Sequence, residues 1–429
     1  MRRLINPYED KKMKTPNTLA KLFLMASTSL VFTNSFVANA QEADSLIDAI
    51  AGGKAYLDER FRVETVSEDA KALNATTATL RTKLGYKTGT FKGLSGVIEF
   101  EHSTDAGIGD YNNGINGKTA YPAIIDANHT EVNQAYLAYT GFDKTTIAAG
   151  RQALNLGNQR FVGTVGWRQN DQTYDSVAVI NNSVEDLTAV FGYVWNVNRI
   201  FGNDHPNGDL KTKTMTFDAT YKGVKGLAIE GYGLLIDLDA LGVKALNSKT
   251  FGIRASGSQD VADGTKLLYA AEYANQTDYK LNPNNYSANY YNVELGVAVN
   301  GFTVKAGLET LGSYNGAAAF TTPLATLHKF NGWADKFLGT PATGLRDFYG
   351  QVSYAVKDTG TEMDGTNLTL VYHKFKSDFG SIDYGSEFDV SVSKKVFKQF
   401  TVLLKYANYS ADTWSSDTQK FWFQVATKF

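Results

Sequence analysis

The sequence contains no cysteine and only 7 proline residues among its 429 residues. Without cysteine it cannot be a small secreted scaffold held together by disulfides. Beyond position 40 it lacks any run of about eighteen uncharged apolar residues, which excludes a bundle of membrane-spanning helices. The chain also has no large net charge, because it contains 42 Lys and Arg and 44 Asp and Glu. We therefore expect no nucleic-acid partner. Abundant aromatic residues, 13% of the chain, argue against disorder.

The first forty residues have the layout of a secretory signal peptide. Basic residues at 11, 12, 14 and 21 precede an apolar stretch at 22–32, and the small residues Ala38 and Ala40 frame a cleavage site. We therefore expect export, with residues 1–40 removed and a single domain over 41–429. An N-terminal membrane anchor is the alternative, and Met13 rather than Met1 could be the true start.

Beyond residue 50 the sequence repeats segments of about ten residues in which apolar and polar side chains alternate. In the first segment, Phe61 and Val63 alternate with Arg60, Arg62 and Glu64. Helical periodicity is almost absent. This period of two predicts roughly eighteen β-strands, the size of a large barrel. A soluble sandwich with one core face and one wet face would show the same alternation.

The connections between these segments are of unequal length. Short connections fall at 88–90, 141–144, 223–226, 300–301 and 394–398, and longer polar ones near 103–130, 155–168, 200–212, 237–248, 277–288 and 312–343. Outer-membrane barrels have short periplasmic turns and long extracellular loops. The sequence therefore predicts an all-β fold, a transmembrane antiparallel β-barrel of about 18 strands in the outer membrane of a Gram-negative bacterium.

The last predicted strand carries a further indication. Phe421, Phe423 and Val425 share one of its faces, and the chain ends on Phe429. A terminal aromatic residue on an alternating strand resembles the signal that outer-membrane barrels present to their assembly machinery. We therefore expect that machinery as a partner, together with membrane lipid and lipopolysaccharide. A soluble domain that ends in Phe is the alternative.

Closure of the barrel predicts where the charged side chains lie. The first strand must pair with the last, because an unpaired backbone group in hydrocarbon costs several kcal/mol. A Lys or Arg facing lipid near the midplane costs about 2–4 kcal/mol, so the charges must face inward. One wall of the lumen should then carry Arg60, Arg62, Arg81, Lys83, Lys405 and Lys420, with Glu387 and Asp389 beside them, and the opposite arc should carry Arg254, Glu272, Glu294, Lys305 and Glu309.

Such an inward set is compatible with two interpretations. It can line a water-filled pore or form a salt-bridge network that fills the lumen. A barrel of about eighteen strands is wide enough for an aqueous channel, which favours the pore. Loop 312–343 contains Phe320, Phe330, Trp333 and Phe337 and is too apolar for a wholly wet loop. It is either a lid or constriction folded into the barrel, or it packs against outer loops or lipopolysaccharide.

One segment resembles a known family. It contains Gly150-Arg151-Gln152, Arg160-Phe161-Val162-Gly163, Gly166-Trp167-Arg168-Gln169-Asn170 and Thr173-Tyr174-Asp175. This run resembles the alginate export family, outer-membrane barrels in which a polyanionic sugar chain passes through an arginine-rich lumen. The resemblance implies that Arg151, Arg160 and Arg168 contact substrate, although an Arg at the outer rim could instead bind lipopolysaccharide. Because the predicted lumen mixes both signs of charge, we expect passage of polar or anionic small solutes or acidic saccharides.

Two other classes of function remain open at this point. A secreted soluble glycan-binding β-sandwich would share the alternation, and an outer-membrane hydrolase could place His373 near Ser391. The five His residues fall mostly in loops without zinc-binding spacing, and no phosphate-binding or nucleophile-elbow motif is present. We therefore expect a channel that has no cofactor or metal and is not an enzyme.

Overall fold

The computed structural model describes residues 42–429, so the predicted signal peptide and start site lie outside the described residues. Within this range, 18 strands form one antiparallel sheet, and two short strands form a separate hairpin. The strands are β1 (Lys54–Glu68), β2 (Ala75–Lys87), β3 (Leu94–Asp110), β4 (His129–Phe142), β5 (Thr145–Gln152), β6 (Thr173–Asn181), β7 (Leu187–Asn198), β8 (Asp209–Val224), β9 (Leu227–Ile236), β10 (Ser248–Ala262), β11 (Thr265–Asp278), β12 (Ser287–Val299), β13 (Phe302–Leu311), β14 (Ser313–Tyr314), β15 (Ala318–Ala319), β16 (Leu345–Ala355), β17 (Thr366–Lys376), β18 (Asp383–Val396), β19 (Phe400–Ala411) and β20 (Thr418–Lys428).

The sheet closes on itself. Strand β1 pairs with β2 on one side and with β20 on the other, so that Val63 lies opposite both Ala78 and Phe423. Closure gives each long strand two neighbours and leaves the sheet no open edge, as a membrane-spanning sheet requires. The prediction of a closed barrel of about eighteen strands is confirmed. The alternative of two packed sheets is wrong, because the apolar faces do not meet across a sandwich.

The alternating side chains point in the predicted directions. Apolar residues face outward, and Phe251 and Leu295 are 57% and 58% exposed. Polar residues of the same strands face inward, where Arg62 is fully buried. The outward face is therefore the apolar band that contacts lipid, and the inward face forms a polar interior.

The two ends of the barrel differ in their connections. At one end the turns are short, and the turn at Asn300 and Gly301 has positive φ at both residues (49° and 85°), the geometry of a two-residue type I′ hairpin. Helix α1 (Leu46–Ala51) lies at this end, where the Ala49 carbonyl accepts from the Gly89 N–H at 2.8 Å. Short turns mark the periplasmic end. Among residues 42–429, no helix is long and apolar enough to cross a membrane.

Two of the long connections at the other end fold into the barrel. We name them inner loop A (residues 153–172) and inner loop B (residues 312–344). Inner loop B contains β14, β15 and a 3-10 helix (Leu327–Lys329), and another 3-10 helix (Leu241–Leu246) lies between β9 and β10. Two buried apolar clusters surround the inner loops, one including Phe320 and Phe337 and the other including Leu154 and Leu324. The core of the protein therefore lies inside the loop-side half of the barrel.

Candidate functional site

Barrel closure brings the six predicted cations of the first and last strands together. Arg60 of β1 lies opposite Arg81 of β2, and β20 flanks β1 on its other side. All six face inward and are no more than 8% exposed. We call this set the basic wall: Arg60, Arg62, Arg81, Lys83, Lys405 and Lys420.

The basic wall is covered by inner loop A. The side-chain oxygen of Gln169 accepts from Nε of Arg60 at 2.8 Å, and the carbonyl of Gly166 accepts from Nη1 at 2.7 Å. Asp171 forms an ion pair with Lys83. Of the two interpretations of the inward charges, this wall therefore matches the salt-bridge network and not a surface that water lines. The loop supplies oxygen atoms to Arg60 and Lys83, two buried cations that would otherwise carry a large desolvation penalty.

Lys405 of the basic wall lies in an aromatic cage. Its Nζ is 3.8 Å from the ring centroid of Trp333 and 4.1 Å from that of Trp167. The cage combines one ring from each inner loop with Trp422 of β20, 5.4 Å away. Arg62 lies 4.1 Å from the centroid of the Trp167 ring as well. A desolvated cation above an aromatic face is attracted by about 2 kcal/mol, so these contacts hold both inner loops against the wall.

A chain of polar contacts fixes inner loop B beside the cage. Nζ of Lys405 lies 2.7 Å from Nε2 of His328, Nδ1 of His328 lies 2.7 Å from Asp335, and Asp335 pairs with Lys420 at 2.8 Å. Burial lowers the pKa of His328 to about 3. The ring is therefore neutral at pH 7, donating to Asp335 and accepting from Lys405. Although burial opposes it, the hydrogen-bonded contact with His328 and the positive charge of Lys420 hold the pKa of Asp335 well below its usual value.

The carboxylates beside the basic wall also bind inner loop B. Glu387 accepts from the backbone N–H of Ala334 at 2.6 Å, and Asp389 accepts from that of Trp333 at 3.3 Å. These side chains were expected to lie next to the cations. They do lie there, but their hydrogen bonds anchor the loop backbone.

The two inner loops are joined to each other. The N–H of Gly163 donates to the Leu324 carbonyl at 2.9 Å, and the N–H of Thr326 donates to the Gln159 carbonyl at 3.1 Å. They act as one body that crosses the barrel from β13 to β20. Of the two interpretations of loop 312–343, the one in which the loop folds into the barrel agrees with the structure.

The inward carboxylates on β11, β12 and β13 form an acidic arc with a common arrangement. Each is bound by one tyrosine hydroxyl and one cation: Glu272 by Tyr232 (2.7 Å) and Arg254 (3.4 Å), Glu294 by Tyr349 (3.0 Å) and Lys305 (3.0 Å), Glu309 by Tyr290 (2.7 Å) and Arg160 (2.6 Å). Charge-assisted hydrogen bonds of this kind neutralise the carboxylate locally. The acidic arc therefore contributes little negative field to the lumen.

Lys329 is a cation that the sequence analysis did not single out. It is the last residue of the 3-10 helix of inner loop B, is exposed, and donates to the carbonyl of Asn158 at 2.9 Å. Among the described residues, no carboxylate lies within 4 Å of its ammonium group. Desolvation inside the barrel, followed by the positive charges of Arg254 and Lys305, lowers the pKa of Lys329. The sequence gives only a weak signal for this residue. It is a lysine in a loop whose apolar residues indicate that the loop lies inside the barrel.

The sequence matches the alginate export family over residues 56–307, more than half of the chain. The chain belongs to the alginate export family. The match runs from the first strand into β13, so it covers the basic wall on β1 and β2, inner loop A and the strands that carry Glu272 and Glu294. No curated protein matches this alginate export family member significantly.

Several solved structures share this barrel fold, and the family match together with the closed sheet confirms the outer-membrane location. The alginate export family member resembles OpdL of Pseudomonas aeruginosa with 16% identity and a TM-score of 0.66, over 89% of this chain and 99% of that chain. It resembles OccAB3 of Acinetobacter baumannii with 14% identity and a TM-score of 0.71, over 89% and 100%. A third similar structure is P. aeruginosa OpdK with vanillate, at 13% identity and a TM-score of 0.67, over 89% and 99%.

The three arginines of the family segment occupy different environments. Arg160 and Arg168 lie in inner loop A, are 2% and 8% exposed, and bind Glu309 and Glu64. In contrast, Arg151 follows exposed Ala149 on the outward face of β5 and pairs with Asp175 at 2.8 Å. The expectation that Arg151 lines the pore is wrong. Arg151 shares the outward face with Ala149 by simple alternation, and the small residues of this short strand give no apolar pattern from which its phase could be predicted.

Proposed function

We propose that this protein is a passive outer-membrane channel for small polar or anionic solutes, including acidic saccharides, and that its two inner loops form the constriction. The observation that carries this proposal is Lys329, an exposed cation on the 3-10 helix of inner loop B that has no carboxylate partner among the described residues. The acidic arc is neutralised by its tyrosines and cations. An anion that reaches the constriction would therefore meet an uncompensated positive charge.

Other parts of the interior support the same assignment. Glu294, the member of the acidic arc nearest the short turns, and its partner Lys305 have side chains that are 20% and 15% exposed. The neighbouring inward positions Gln351 and Ser353 are short, polar and partly exposed. These side chains suit a wet vestibule. The similar barrel OpdK, solved with vanillate, is a precedent for a carboxylate ligand in this fold.

We propose no catalytic role for the interior. His373, the histidine considered for a hydrolase, has its Nδ1 2.9 Å from Asp347 and its Nε2 3.8 Å from Asp389. Both ring nitrogens face carboxylates, an arrangement typical of an ion pair. The channel would therefore act by selecting solutes as they diffuse.

The reversal potential of the purified protein in planar bilayers under a KCl gradient tests the proposal. We expect discrete conductance steps with a preference for chloride, reduced in Lys329→Gln and reversed in Lys329→Glu. The matched control is Lys280→Glu, which makes the same charge change on an exposed rim loop. A bilayer that stays closed at all voltages would refute the channel. Conductance with unchanged selectivity in Lys329→Glu would refute the role of this residue.

A further inference from the structure

The two strands that flank β9 carry exposed lysines on their outward faces at the loop end of the barrel. Lys211 and Lys213 lie near the start of β8, and Lys249 lies near the start of β10. All three are exposed. Among the described residues, neither Lys211 nor Lys249 has a carboxylate within 4 Å, and the nearest one to Lys213 is Asp239 at 4.0 Å.

These lysines are close enough to share one anion. Lys249 is in register with Leu235 of β9, which in turn faces Met215, two residues beyond Lys213. Neighbouring strands lie about 4.8 Å apart, so β8 and β10 are separated by about 10 Å. Long, flexible lysine side chains span that gap and can converge on one phosphate.

An apolar groove lies on the same strands, closer to the membrane centre. It has a volume of about 470 Å³ and is bordered by the outward rings of Phe191, Phe217 and Phe251. Its floor is open because β9 carries Gly231 and Gly233 at successive outward positions. Since it faces outward, the groove belongs to the lipid-contacting surface and is separate from the lumen.

The spacing of the lysines and the groove fits within one leaflet of a bilayer. Lys213 and Phe217 are four residues apart, about 14 Å along the strand, which at a strand tilt of about 35–45° is a depth of about 10–11 Å. Half of a hydrocarbon core about 30 Å thick is about 15 Å. Because the loop end faces the outside, the lysines stand at the level of the outer-leaflet headgroups. An acyl chain that descends from a headgroup at the lysines therefore reaches the groove.

We propose that the outward faces of β8, β9 and β10 bind one anionic lipid of the outer leaflet, with its phosphate on Lys211, Lys213 and Lys249 and an acyl chain in the groove below. The charge favours a phosphorylated lipid, because each lysine near an anionic headgroup contributes about 1 kcal/mol. The site is independent of the channel function.

Binding of bisphosphorylated lipid A to the delipidated protein in detergent, followed by native mass spectrometry, tests the proposal. The triple variant Lys211→Gln, Lys213→Gln, Lys249→Gln should bind at least about tenfold more weakly. The control is Lys374→Gln with Lys376→Gln, which removes two outward lysines at the same end of β17, one of which, Lys374, pairs with Asp383 at 2.7 Å. The control should bind like the native protein.

A second variant tests whether the groove takes part in lipid binding. A Cβ at Gly231 meets no atom within 4 Å, so Gly231→Leu should fill the groove without strain. The control is Gly350→Leu, an outward position of β16 where a Cβ also meets nothing. We expect weaker lipid A binding for Gly231→Leu alone, with heat-modifiable gel migration unchanged in both. The proposal would be overturned if Gly231→Leu and the lysine variant bound lipid A like the native protein, or if the controls lost as much lipid A binding as the variants. A change of oligomeric state in place of a loss of lipid would also overturn it.

Discussion

Removal of Arg160 should detach the inner loops from the barrel wall. Its Nε pairs with Glu309 at 2.6 Å, and its other nitrogens donate to Thr322 at 3.1 Å and Asn331 at 3.0 Å. The guanidinium is 2% exposed. Arg160→Ala would leave Glu309 as a buried carboxylate without its cation, and breaking a buried pair in this way costs about 3–5 kcal/mol. The same guanidinium joins inner loop A to both β13 and inner loop B, so its removal should loosen both attachments.

We expect Arg160→Ala to raise single-channel conductance in planar bilayers and to lower the temperature at which the barrel unfolds on heat-modifiability gels. The double variant Arg160→Met, Glu309→Gln removes both charges, so its penalty should be much smaller. Recovery toward native conductance in the double variant would identify the unpaired charge as the cause. Native conductance and unfolding temperature in Arg160→Ala would refute the reasoning.

Three further perturbations test other parts of the barrel. Deletion of Ala317 to Leu338 should raise conductance because it removes most of inner loop B, and unchanged current would show that this loop does not limit flow. Acidification should also raise conductance. The pKa of His328 is lowered to about 3 inside the barrel and lies near 6.5 in water, so the attached loop loses stability as pH falls from about 6.5 toward 3. The conductance of the native protein should rise over that range, and a pH-independent current would contradict this prediction. Phe429→Ala should reduce the amount of barrel in the outer membrane and leave the unfolding temperature of the purified protein unchanged. The reason is that Phe429 pairs with Leu57 through its backbone, while its side chain is 61% exposed. Normal amounts of the variant in membrane fractions would argue against a role of Phe429 in assembly.

Alternation and loop length were sufficient to predict the barrel. Each strand is encoded locally, since Arg60, Arg62 and Glu64 must share a face wherever that strand pairs. Closure then follows from the absence of water in the membrane and places the first and last strands side by side. The grouping of Arg62 with Lys420 was therefore predictable from residues far apart in sequence.

The covering of the basic wall was not predictable in the same way. Gln169 reaches Arg60 only because inner loop A folds inward, and loop conformations have no periodic pattern. The same reason applies to Lys329, whose position depends on how inner loop B turns around its 3-10 helix. Each of these features depends on tertiary contacts of irregular backbone.

The most direct test of a solute path past inner loop B uses the absence of cysteine from the native chain. Lys329→Cys would introduce a single thiol on the 3-10 helix of the loop, and Ser183→Cys would place one on an exposed periplasmic turn as a control. We predict that a negatively charged, membrane-impermeant thiosulfonate reagent reduces the current and the chloride preference of Lys329→Cys within seconds and leaves Ser183→Cys unaffected. Complete labelling of Lys329→Cys with no change in current would contradict the account.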